Sequence, residues 1–98
     1  MADQDKILVI DDDDDFKASI RPALEAAGYT MLQAASGREG LRMLTEHGPD
    51  VIVLDIMMET SEEGYSVNQA IKYQDVYAAY RDIPILMVSS IRETPDER

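Results

Sequence analysis

Three uninterrupted apolar runs limit the folds open to this chain more than any other feature. Ile7-Leu8-Val9-Ile10, Val51-Ile52-Val53-Leu54 and Ile83-Pro84-Ile85-Leu86-Met87-Val88 show no polar alternation. A strand with one wet face alternates polar and apolar residues, whereas a strand covered on both faces does not. The three runs therefore predict strands buried inside a parallel sheet. Thr30-Met31-Leu32-Gln33-Ala34 is a weaker fourth candidate.

Between the runs the spacing becomes helical. Phe16, Ile20, Leu24 and Ala27 fall on one helix face. Asp13, Asp14 and Asp15 suit the positive end of that helix and offer caps, and Gly28 ends it. Pro22 interrupts the pattern and predicts a kink or a helix that effectively starts late. Ser36-Gly37-Arg38-Glu39 has capping-box spacing, Leu41 and Leu44 point inward, and His47-Gly48-Pro49 stops the second helix. His47 needs no further role. A third helix is expected from about Gly64 to Arg81, with Val67, Ala70 and Ile71 on the sheet side. Tyr73, Tyr77 and Tyr80 recur beside that face. They read most simply as the edge of the core, with a partner surface as the alternative.

The order strand, helix, strand, helix, strand, helix, strand predicts an α/β fold, an open doubly wound parallel sheet with right-handed crossovers. In such sheets ligands sit beyond the carboxyl ends of the strands. Asp11-Asp12, Asp55 and Ser89-Ser90 fall at three of those ends.

Length and charge narrow the function. Ninety-eight residues make one domain, and a net charge of −11 opposes contact with nucleic acid or an anionic membrane. There is no cysteine, which excludes disulfides and thiolate metal sites. No apolar run approaches the roughly 20 residues of a membrane span. The start, Met1-Ala2-Asp3-Gln4-Asp5-Lys6, lacks the basic and apolar segments of a secretory signal, so a cytoplasmic location is expected.

The acidic residues are clustered beyond what solubility requires: five of the 20 form one block, Asp11 to Asp15. Carboxylates gathered at one sheet edge raise one another's pKa unless a cation neutralises them. Magnesium, which prefers hard oxygen ligands, is the natural cation. A carboxylate beside it can take a phosphoryl group as an acyl phosphate, and a hydroxyl such as that of Ser89 can then donate to a phosphoryl oxygen.

On these residues the chain resembles the receiver domains of two-component response regulators. Lys6-Ile7-Leu8-Val9-Ile10-Asp11-Asp12-Asp13 is similar to their first strand and acidic pair. Val51-Ile52-Val53-Leu54-Asp55-Ile56-Met57-Met58 is similar to their phosphoacceptor strand. Ile83-Pro84-Ile85-Leu86-Met87-Val88-Ser89-Ser90 is similar to their fourth strand. The resemblance implies a flavodoxin-like receiver fold with strand order 2-1-3-4. It implies that Asp12 and Asp55 bind Mg2+ directly, Asp11 mainly through water, and the Met57 carbonyl as a further ligand. Asp55 would be the phosphoacceptor and Ser89 the residue that swings toward the phosphoryl group. The partner would be a sensor histidine kinase or a phosphotransfer protein. The chain would be a signalling domain rather than an enzyme, beyond its own phosphorylation and dephosphorylation.

Departures from the family pattern carry their own expectations. Glu59 stands where the family usually has proline, and the loop Glu59-Thr60-Ser61-Glu62-Glu63 is longer and more acidic. Residues 1–98 read as one incomplete receiver that lacks the family's fifth strand, with its lysine, and the last helices. Lys6, Lys17 and Lys72 are the only lysines, and none is expected to fill that role. An uncovered edge and face would favour a homodimer or exchange of elements between chains.

Three other functions compete. A receiver-like interaction module that takes no phosphate is the first. A haloacid-dehalogenase-type phosphatase matches Asp11-Asp12-Asp13 only trivially. A calcium loop using Asp11, Asp13 and Asp15 would place Phe16 where glycine is needed and Pro22 where glutamate is needed.

Overall fold

A computed structural model describes residues 5–55 and 67–88. Four parallel strands form the sheet: β1 (Lys6–Ile10), β2 (Thr30–Ala34), β3 (Val51–Asp55) and β4 (Ile85–Val88), in the order β2-β1-β3-β4. The expected topology is thus the observed one. Helix α1 (Asp14–Ala26) follows β1, α2 (Gly37–His47) follows β2, and α3 (Val67–Tyr73) with a 3-10 segment (Asp75–Tyr80) precedes β4.

The unbroken apolar runs make physical sense in β1, which is buried on both faces. Leu8 and Ile10 face Leu41 and Leu44 of α2 and the buried residues Val67, Ala70 and Ile71 of α3. Ile7 and Val9 face the other way, toward Phe16, Ile20 and Leu24 of α1. β4 departs from this pattern, because Leu86 is 57% and Met87 41% exposed. Its apolar run was expected to be buried on both sides. Among the described residues β4, like β2, is an edge strand, and α1 and α2 lie over β1 and β2 instead.

Local signals set most helix ends. Asp13 caps α1, its side chain accepting from the Asp15 and Phe16 amides at 3.0 and 3.2 Å. After Ala27, Gly28 takes φ 95°, and the Gly28 and Tyr29 amides return to the Glu25 and Leu24 carbonyls, both at 3.0 Å. Pro22 neither delays nor divides α1, which runs continuously through it. The carbonyl that loses its helical donor is that of exposed Ala18, where water can replace the bond. In α2, the Glu39 amide donates to the Ser36 hydroxyl at 3.1 Å, while the Glu39 carboxylate accepts from the Ala35 amide at 3.0 Å. The capping box is therefore shifted by one residue.

The third helix is shorter than its periodicity suggests. Backbone extension at Gln74 separates α3 from the 3-10 segment, and residues 64–66 lie outside the described range. The Arg81 guanidinium bridges the break, donating to the Ile71 carbonyl at 2.9 Å and, at 3.2 Å, to that of Gln74, which also accepts from the Tyr77 amide. The break also divides the tyrosines: Tyr77 and Tyr80 pack against the core, whereas Tyr73 is 73% exposed.

Gly40 permits the close approach of α2 to β1. A Cβ built there would lie 2.5 Å from Ile10 Cδ1 and 2.9 Å from its Cγ1. Ile10 is fully enclosed and cannot swing away. Gly40→Ala should therefore lower stability by about 1–2 kcal/mol, despite alanine's better helix propensity. A chemical denaturation midpoint at or above that of the parent would contradict this.

Candidate functional site

The site arises from strand register. β1 and β3 are parallel neighbours with Ile10 opposite Leu54. The next residues on each strand are Asp11 and Asp55, so two chain segments distant in sequence deliver carboxylates to the same sheet end. The Asp11 amide is held by the Ala34 carbonyl at the end of β2, at 3.0 Å. Asp12 completes the group: oxygens from Asp11, Asp12 and Asp55 lie within 4.8 Å of one another.

Burial divides the roles. Asp11 and Asp55 are 1% and 2% exposed, whereas Asp12 is open to solvent. One Asp11 oxygen, Oδ1, accepts from the Asp13 amide at 2.8 Å. The other, Oδ2, is buried without a hydrogen-bond partner. Burial raises the Asp11 carboxyl above the usual carboxylate range, the Asp13 amide opposes that shift, and the charges of Asp55, Asp12 and Asp13 add to it. A buried carboxylate oxygen with no donor, beside two like charges, is unfavourable as it stands. A divalent cation would supply the missing positive partner, and the all-oxygen donor set suits a hard ion such as magnesium.

The remaining aspartates of the block serve α1. Asp13 is the cap, and Asp14 and Asp15 form the first helical turn. That turn leaves no room for a calcium loop of alternating aspartates, so the calcium alternative fails on geometry. Met57 and Ser89, expected as carbonyl ligand and switch hydroxyl, lie outside the described residues. Val88, the residue before Ser89, pairs in register with Asp55.

Lys17, which is not expected to fill the role of the family's fifth-strand lysine, has a side chain only 5% exposed. Its ammonium lies 3.5 Å from the Ala34 carbonyl and 3.4 Å from an Asp14 oxygen. The signal was in the spacing: Lys17, Ile20 and Leu24 share a helix face.

Comparison with known proteins agrees with this geometry. Residues 7–98 match the family described as the response regulator receiver domain. The transcriptional regulatory protein PrrA of Mycobacterium tuberculosis is 39% identical over 93 residues, which cover 95% of this chain and 37% of that protein. A probable transcriptional regulator, ycf27 of Cyanidium caldarium, is 32% identical over 94 residues, covering 96% of this chain and 35% of that one. The chain thus spans little more than a third of these relatives. Among solved structures, the chemotaxis response regulator CheY4 of Vibrio cholerae superposes with a TM-score of 0.76 at 30% identity, covering 93% of this chain and 72% of that one. The N-terminal domain of a response regulator receiver protein from Methanoculleus marisnigri gives 0.74 at 39% identity, covering 94% and 72%.

Proposed function

Because the chain belongs to the response regulator receiver family, we propose that it accepts a phosphoryl group on Asp55 and signals through the change in charge that follows. The supporting observation is the unpartnered, buried Oδ2 of Asp11, grouped with the Asp12 and Asp55 carboxylates where β1 and β3 end. Asp11, Asp12 and Asp55 would hold a magnesium ion, with the Met57 carbonyl as a further ligand. When bound, the ion offsets the negative charge of the carboxylates and of the incoming phosphoryl oxygens.

The protein's own chemistry is simple. A carboxylate oxygen of Asp55 attacks phosphorus in line and forms an acyl phosphate bond. The bond from phosphorus to the donor breaks. With a phosphohistidine donor, its electron pair returns to the imidazole nitrogen, which takes up a proton from solvent. Strand β3 keeps the Asp55 backbone rigid, with β1 on one side and β4 on the other. The Ser89 hydroxyl would donate to the phosphoryl group and carry the change to the surface, biasing a two-state equilibrium. Later hydrolysis restores the carboxylate, so the domain acts as a phosphoacceptor and not as a turnover enzyme.

The donor is a sensor histidine kinase or a phosphotransfer protein, and residues 1–98 act as one receiver unit in the cytoplasm. Among the described residues no helix is long and apolar enough to cross a membrane. The charge of −11 argues against direct contact with nucleic acid or anionic lipid. Exposed Leu86 and Met87 on the edge strand favour a second copy of the chain as a partner.

The test uses magnesium and acetyl phosphate followed by intact mass measurement. A gain of one phosphoryl group is expected, removable by hydroxylamine and absent when a chelator replaces magnesium. An unchanged mass in a folded protein would favour an interaction module that takes no phosphate.

A further inference from the structure

We propose that Lys17 is a positioning residue of the acidic site, locking the Ala34 carbonyl that anchors the Asp11 amide. This inference rests on the cation-binding role given to Asp11 above. The Ala34 carbonyl accepts two donors, the Asp11 amide at 3.0 Å and the Lys17 ammonium at 3.5 Å. One oxygen at the end of β2 therefore ties together the strand end that carries Asp11 and the end of the first turn of α1.

Fold stability gives little reason for a lysine here. Its side chain is 5% exposed, and its second partner, Asp14 at 3.4 Å, is 93% exposed, so water screens that ion pair. A buried ammonium with such partners is commonly matched or bettered by an apolar side chain of similar volume. The flanking residues of that face, Phe16 and Ile20, already pack on an apolar cluster that methionine would extend. What the ammonium adds is a second, charge-assisted hold on the carbonyl that fixes the Asp11 backbone. Groups that orient a metal ligand from behind typically change metal affinity by about tenfold to a hundredfold.

The experiment measures Mn2+ binding by electron paramagnetic resonance of the free ion, with urea unfolding on the same samples. The parent, Lys17→Met, Lys17→Arg and Asp11→Asn are compared. Lys17→Met is expected to unfold at the same urea concentration as the parent or higher, yet to bind Mn2+ about tenfold more weakly. Its Asp11 amide resonance should shift and exchange faster with solvent. Lys17→Arg, which keeps a buried donor, should recover most of the affinity. Parent-like Mn2+ affinity in Lys17→Met, with Asp11→Asn weakened, overturns the role of Lys17 alone. Failure of Lys17→Met to fold assigns the residue to the fold and overturns it too. If the parent binds no Mn2+, or Asp11→Asn binds as tightly as the parent, the cation site itself falls.

Discussion

Asp55→Asn is expected to take no phosphoryl group from acetyl phosphate and magnesium, its mass remaining that of the unmodified chain. The amide keeps the shape of the carboxylate but has no anionic oxygen to attack phosphorus. The loss should be complete, because phosphorylation of a receiver depends on one nucleophile and not on a sum of contacts. Fold failure does not explain that outcome away. Asp55 is the first of the like charges that raise the Asp11 carboxyl, so its neutralisation relieves repulsion. In the absence of divalent cations the variant should match the parent in stability or exceed it by on the order of 1 kcal/mol. A folded Asp55→Asn protein that still gained a hydroxylamine-labile phosphoryl group would place the acceptor elsewhere.

Asp11→Asn should separate stability from cation binding more sharply. In the parent, Asp11 has a buried oxygen without a donor and a carboxyl raised above its ordinary value of 3.8, first by burial. A carboxyl whose folded pKa lies above its unfolded value favours folding fully only below about pH 3.8. That contribution is lost as pH rises from there through the folded pKa. At neutral pH the parent therefore bears the whole penalty of ionising Asp11 in the interior. Asparagine has no such titration, so in chelator the variant should be more stable than the parent by about 1–3 kcal/mol at neutral pH. The difference should shrink as pH falls toward 3.8. Added magnesium should reverse the order, raising the parent's urea midpoint and leaving that of Asp11→Asn nearly unchanged. If Asp11→Asn were less stable than the parent in chelator at neutral pH, Asp11 would be a structural carboxylate satisfied without a cation.

Both outcomes depend on residues legible in the sequence for a physical reason. Strands buried on both faces cannot alternate polar and apolar residues, so β1 and β3 announced themselves as unbroken runs, and their polar endings marked Asp11, Asp12 and Asp55. Helix caps are equally local: Asp13, Gly28, Ser36 and Gly48 act within a few residues of themselves. The failures were of another kind. Helical spacing from about Gly64 to Arg81 said nothing of the extended backbone at Gln74, because Arg81 takes carbonyls up to ten residues earlier in the chain. Pro22 looked disruptive because the spacing could not show that the donor it removes would have served an exposed carbonyl.

By itself, then, the sequence determined the buried strands of a parallel sheet and the carboxylates at their ends, since each follows from burial or charge along a short stretch of chain; the strand order came only from the resemblance to receiver domains. Only the tertiary structure decided which oxygens lie within 4.8 Å of one another, which one lacks a donor, and that Lys17 is enclosed beside Ala34. Those facts depend on the register between β1 and β3 and on the seating of α1 against β2. Contacts between segments distant in sequence leave no periodicity for either segment to display.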